Sequence, residues 1–132
     1  DINLMANRAA ALAAFLDGDN GAGLIAGWRR VSSILAAEEK KANIVFNAET
    51  DPTLFNDIEQ ALFARLSAMS DNENSIDVKL AALGALRNHI DEFFDEIVVN
   101  DDDPAIRKNR LGLLATVREK MLLVADFTKI EG

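Results

Sequence analysis

Only two prolines interrupt the 132 residues, and each directly follows an aspartate, at Asp51-Pro52 and Asp103-Pro104. Proline inside a helix removes a backbone donor and clashes with the preceding turn, so a chain with so few of them keeps long stretches available to continuous helix. The Asp-Pro order reads as a helix start. The aspartate carboxylate accepts orphan backbone N–H groups, and proline at the first helical position has no N–H to lose. Behind Asp51, the residues Phe55, Ile58, Leu62, Leu66 and Met69 follow the three-four spacing of one helical face. Behind Asp103 the same spacing runs through Ile106, Leu113, Leu114, Val117, Met121 and Val124. A helix is predicted after each proline.

Three further helices are predicted. Ile2 to about Leu16 is Ala-rich, with Leu12, Phe15 and Leu16 near its end, and alanine has the highest helix propensity. Asp17-Gly18-Asp19-Asn20-Gly21 breaks it, and a second helix starts near Asn20 with Leu24, Trp28, Val31 and Leu35 as its core stripe. Ser75 caps a long helix whose inner face is Ile76, Leu80, Leu83, Ile90, Phe94 and Ile97, after a turn at Asp71-Asn72-Glu73-Asn74. The segment from Ala42 to Thr50 is a loop whose apolar Ile44-Val45-Phe46 is either extended or tucked onto the bundle. Phe93 and Phe94 are adjacent, so only one can enter the core fully; the other covers a loop or a partner chain. No sustained alternation suggests a sheet, and no repeat of 20 to 50 residues is visible. The expected fold class is all-α, a single domain over residues 1–132 with one core and about five helices.

An apolar content of 49% supports such a core, and a charged content of 27% is ordinary for a globular chain. The chain has no cysteine and one histidine, which excludes disulfides, thiolate metal sites and a zinc centre of the usual composition. No apolar run approaches the roughly 18 residues of a membrane span, and the first residues have no signal-peptide character. The start at Asp1, with no initiator Met, reads as a piece of a longer chain.

Motifs that suggest catalysis fail on spacing. Asp17 to Gly21 opens like a calcium loop, but Ala22 and Trp28 stand where Gly and a bidentate Glu are required. The glycines at Gly21, Gly23 and Gly27 follow no strand. His89 lies beside Asp91, Glu92, Asp95 and Glu96, yet no second histidine accompanies it, and a solvated acidic face accounts for the cluster. No Gly-x-Ser-x-Gly elbow occurs. No residue is assigned a catalytic or metal-binding role, and no cofactor is expected in this piece.

The formal charge of −8 opposes nonspecific binding to nucleic acid if it is evenly spread. It is not. Residues 42–103 hold fourteen acidic against three basic groups, −11 net, while residues 104–132 hold six basic against three acidic, +3 net. Residues 18–41 are +1. On the second helix Arg29, Ser33 and Lys40 form a stripe beside Arg30 and Lys41, so four cations project to one side of the Trp28 stripe. On the last helix Arg107 and Arg118 share a stripe flanked by Lys108. Such a surface suits phosphates and exposed bases. Equally, these are solvated helix faces, with Lys40 and Lys41 complementing a helix dipole. Arg110 falls on the core side and calls for an ion-pair partner, Asp95 or Asp91. Trp28 lies between Leu24 and Val31, a core position rather than a stacking platform.

Phe93-Phe94-Asp95-Glu96-Ile97-Val98-Val99, Asp103-Pro104-Ala105-Ile106-Arg107, Asn109-Arg110-Leu111-Gly112-Leu113-Leu114 and Val124-Ala125-Asp126-Phe127 resemble the end of the bacterial glycyl-tRNA synthetase beta subunit. Arg8 to Leu16 is similar to that family's first helix in this region, and Arg30-Val31-Ser32-Ser33-Ile34-Leu35 to its Arg-Val-Ala-Asn-Ile-Leu pattern. Ser33 stands where the pattern has Asn, a shorter group with less reach to a base edge. The resemblance implies a helical anticodon-binding domain of the DALR type, similar to that of arginyl-tRNA synthetase, and a cytoplasmic protein. It implies partners as well: tRNA-Gly, and an alpha subunit that activates glycine with ATP and Mg²⁺ in a heterotetramer of two alpha and two beta chains. RNA-binding residues are then Arg29, Arg30, Ser33, Lys40, Lys41, Arg107, Lys108 and Asn109. The competing reading is an acidic helical docking module without RNA contact, its interface the acidic middle segment and the Phe93-Phe94 pair. A third is a carboxylate-metal enzyme built on His89.

Overall fold

A computed structural model describes residues 2–69 and 75–124, with side chains over 10–69 and 75–122. The expected turn at 71–74 and the matched residues 125–127 lie outside the described residues. Five α-helices follow in order: α1 Ile2–Asp17, α2 Asp19–Ala42, α3 Asp57–Ala68, α4 Ile76–Glu96 and α5 Pro104–Val124. No strand occurs among the described residues. The all-α bundle is as the periodicity requires.

Gly18 alone separates α1 from α2. The turn is so tight that a side chain on Gly21 would collide with the backbone of Phe15 and Leu16. At the far end of α2, Asn43 closes the helix in the left-handed conformation (φ 55°), donating its N–H to the Glu39 carbonyl.

The two Asp-Pro pairs behave differently. Asp103 caps α5 as expected, its carboxylate accepting the Ala105 N–H at 2.9 Å. Asp51 caps only a single 3-10 turn, Pro52–Leu54, through Thr53. The long helix begins later, at Asp57, because Asn56 and Glu59 form a reciprocal capping box: Asn56 Oδ1 accepts the Glu59 N–H at 2.9 Å and Glu59 Oε1 accepts the Asn56 N–H at 3.2 Å. Phe55 stays extended ahead of it and packs on Phe63, ring centroids 5.2 Å apart. Satisfying two orphan donors with two side chains outcompetes a lone aspartate as a start signal. Ser75 caps α4 as expected.

One apolar core joins the helices. Leu24, Trp28, Val31 and Leu35 of α2 meet Leu62 and Leu66 of α3, Leu83, Leu86, Ile90 and Phe93 of α4, and Leu111, Leu113, Leu114, Val117 and Met121 of α5. The α4 face is rotated from the predicted one. Phe93 is fully buried, whereas Phe94 is half-buried at the edge, with the Arg30 guanidinium 4.2 Å from its ring centroid. Phe93 and Phe94 meet edge to face.

Helix α5 is buried at five successive positions, 111–115. It packs on α2 and α3, and the 43–51 segment covers a further side. A side chain on Gly112 would collide with the Glu49 carbonyl, so the absent Cβ is what lets that strand of backbone lie against the helix. The segment is thus tucked in at Phe46, Glu49 and Asp51, while its tip, Ile44 and Val45, is exposed.

Candidate functional site

Two consecutive glutamates near the end of α2 reach across to α5. Glu38 Oε2 accepts from Arg107 Nη1 at 2.9 Å, and Oε1 lies 3.5 Å from Lys41 Nζ. Glu39 receives both Nη1 and Nη2 of Arg118 at 3.1 Å, together with the Phe46 N–H at 2.7 Å; Arg118 also donates to the Phe46 carbonyl. Arg118, expected on the basic surface beside Arg107, is therefore a clamp that ties the end of α2 and the loop after it to α5.

The Arg118 guanidinium holds the Glu39 carboxyl below its ordinary 4.5, with the Phe46 N–H adding to it against the opposing effect of burial. Thr53, through its hydroxyl and then its N–H, holds Asp51 below 3.8 in the same way. A carboxyl whose folded pKa is depressed adds stability that is present above its unfolded pKa and disappears as pH falls through the folded value. Urea unfolding between pH 7 and pH 3 should show stability declining below about pH 4.5, with part of the decline absent in Glu39→Gln. An unaltered pH dependence in that variant would remove Glu39 as its source.

Three grooves open around α5. The first, about 460 Å³, lies between α2, the end of α4 and the first half of α5; Arg30, Glu38 and Arg107 stand on its walls over Ile34, Phe94, Ile97 and Leu111. The second, about 470 Å³, lies between the 42–49 segment and the start of α5, and Arg107 and Lys108 line it with Ile44, Val45 and Phe46. A smaller one of about 280 Å³ is lined by Asp51, Leu54, Lys108 and Asn109. Arg107 and Leu111 belong to both of the larger grooves, so the two adjoin across them.

The eight sequence-predicted site residues divide accordingly. Arg30 and Arg107 meet at the first groove, and Lys108 adjoins Arg107 at the second. Lys41 lies near the first through its contact with Glu38. Arg29, Ser33 and Lys40 are exposed but line none of the three. Asn109 is buried, 5% exposed, and both ends of its amide are engaged by the Asp51 backbone: Oδ1 accepts the N–H at 2.6 Å and Nδ2 donates to the carbonyl at 3.1 Å. That arrangement makes the Asn109 side chain a tie between α5 and the loop. Glu38 was missed, although its i,i+3 spacing to Lys41 placed it at the basic stretch.

Arg110 is an ion-pair residue as expected, with different partners. Its Nε lies 3.4 Å from Glu59 Oε2, and its Nη1 lies 3.3 Å from Asp101 Oδ2 and donates to the Val98 carbonyl at 2.6 Å. Asp91 instead pairs with Arg87 on its own helix. Asp101 and Asp103 are both engaged, one by Arg110 and one as the α5 cap, so part of the acidic run before α5 is internally neutralised. Among the described residues no three His, Asp or Glu side chains are grouped to hold a metal ion, and no helix is long and apolar enough to cross a membrane.

No protein-family model matches the chain. Over its whole length it is similar to the glycine--tRNA ligase beta subunit of two strains of Cereibacter sphaeroides, at 37% identity over 139 aligned residues in each case. The chain spans 20% of the length of those relatives, a coverage that fits a fragment of such a protein.

Proposed function

We propose that this chain is the RNA-gripping helical module of a glycine–tRNA ligase beta subunit, of the DALR anticodon-binding type. In this reading it holds the anticodon arm of tRNA-Gly in the cytoplasm, while a separate alpha subunit supplies the ATP- and Mg²⁺-dependent chemistry. The whole-length similarity to beta subunits supports the enzyme. The observation that carries the RNA role is the convergence of Arg30 from α2 and Arg107 from α5 on one groove with an apolar floor.

That arrangement suits a single-stranded loop at the end of a stem. Phosphates are neutralised by ammonium groups around the groove, here the exposed Lys108 on α5 and the exposed Lys40 and Lys41 at the end of α2. Unpaired bases find apolar surface to rest on, and single strands are where proteins read RNA sequence. The acidic excess lies elsewhere in the chain and turns RNA away from other faces.

Filter binding of tRNA-Gly, and of a tRNA with another anticodon, at several salt concentrations tests this. The double variant Lys40→Ala/Lys108→Ala should weaken binding and flatten the salt dependence of the affinity by about two phosphate contacts. A slope equal to that of the unaltered chain would remove these lysines as the phosphate contacts.

A docking role has one observation in its favour: Ile44 and Val45 are 56% and 72% exposed beside the second groove. Of the adjacent Phe93 and Phe94, Phe93 is enclosed in the core, while Phe94 lines the first groove with the Arg30 guanidinium over its ring.

A further inference from the structure

Glu38 is the one carboxylate among the residues lining the first groove. Its side chain is 17% exposed and that of its partner Arg107 is 39% exposed. Among the described residues Oε2 is engaged by Arg107, whereas Oε1 faces only the ammonium of Lys41 at 3.5 Å, on a side chain that is 75% exposed. That distance is beyond a good hydrogen bond. Among the described residues the Arg107 guanidinium has Glu38 as its side-chain partner, through one of the five N–H donors such a group carries. The groove wall therefore presents an open acceptor beside open donors, above the apolar floor of Ile34, Phe94 and Leu111.

A site meant for phosphate gains nothing from a half-buried carboxylate beside its arginine. The like charge repels the ligand and holds the cation that would bind it. A neutral, flat group with an N–H next to an acceptor meets the opposite situation: the N–H bonds to Oε1, the acceptor takes a guanidinium N–H, and no charge is buried unpaired. The Watson–Crick edge of every nucleobase has that composition, and a duplex leaves none of those edges free.

We infer that Glu38 is a specificity-determining residue, which admits an unpaired nucleobase to the Arg30–Arg107 groove and excludes the phosphate backbone. This rests on the RNA reading above and deepens it. Arg107 positions the carboxylate, and the same pair neutralises the guanidinium toward phosphates that approach without a free base. Selectivity here is partly repulsive, which lets a groove with two arginines avoid becoming a general polyanion site.

The test compares two RNAs on the unaltered chain, Glu38→Gln and Glu38→Asp: a hairpin with an unpaired loop, and a blunt duplex of the same stem, each titrated at several salt concentrations. The unaltered chain should prefer the hairpin. In Glu38→Gln the duplex should bind more tightly, with a salt slope steeper by about one contact, and the preference for the hairpin should fall roughly tenfold. Glu38→Asp retains the charge and should retain the exclusion of duplex. A hairpin preference unchanged in Glu38→Gln, or duplex binding no tighter than in the unaltered chain, overturns the inference. Equal binding of both RNAs by the unaltered chain overturns it while leaving the RNA role standing. Binding of neither removes both.

Discussion

Arg110→Met should lower the free energy of unfolding by about 3–5 kcal/mol, measured by urea denaturation at neutral pH. The effect comes from Glu59, which is 1% exposed and whose Oε2 faces the Arg110 Nε. Its other oxygen is already used by the capping box at the start of α3. Losing the guanidinium strands a buried carboxylate, and also frees the Val98 carbonyl and Asp101 at the connection between α4 and α5. The desolvation of an unpaired charge outweighs the modest net gain that forming the pair brings, so removing one partner is far more harmful than replacing both. In a Glu59→Gln background, which keeps the capping acceptor but not the charge, Arg110→Met should cost markedly less. An equal cost in both backgrounds would mean that the charge on Glu59 is not what Arg110 serves.

Phe93→Ala should cost about 3–5 kcal/mol, the range for emptying a fully enclosed phenylalanine site. Phe93 is 0% exposed and belongs to the shared apolar core. Phe94→Ala should cost less than half as much. That ring is half-buried, and beyond its partial burial it loses a cation–π contact with Arg30 worth about 0.5–1 kcal/mol at an exposed site. Comparable costs for the two substitutions, or the reverse order, would place the α4 core face where the sequence spacing put it rather than where the packing has it. Phe94→Ala also strips the floor of the first groove, so it should affect RNA binding more than it affects folding.

These two residues show where reading the chain alone stops. Successive positions on a helix differ by about 100° in direction, so a stripe of Ile90, Phe94 and Ile97 and one of Leu86, Ile90, Phe93 and Ile97 are both legitimate faces of the same segment. Which is inward depends on how α4 is rolled against α2 and α3, and no local signal carries that. Arg110 was similar. Its core-side position announced the need for a partner, but Glu59, Asp91 and Asp95 are all acidic residues earlier in the chain, and only the crossing of α3 and α5 selects among them. The capping box at Asn56 and Glu59 is different in kind, because its pattern is present in the residues themselves and competes locally with the neighbouring Asp51-Pro52 pair as a helix start.

The sequence by itself determined the number of helices, their order, three of their starts and most of the core, because helix periodicity and capping act over one or two turns. It also separated a basic pair of helices from an acidic middle. Tertiary structure decided which of the cations share a groove. Glu38 and Arg107 are 69 residues apart and Glu39 and Arg118 are 79 apart, so each pair exists only through the approach of α2 and α5. That approach turned Arg118 and Asn109 into structural ties, left Arg30 and Arg107 on a shared groove, and put a carboxylate between them. Charge and spacing are local properties of a chain, whereas the partner of a charge is set by packing.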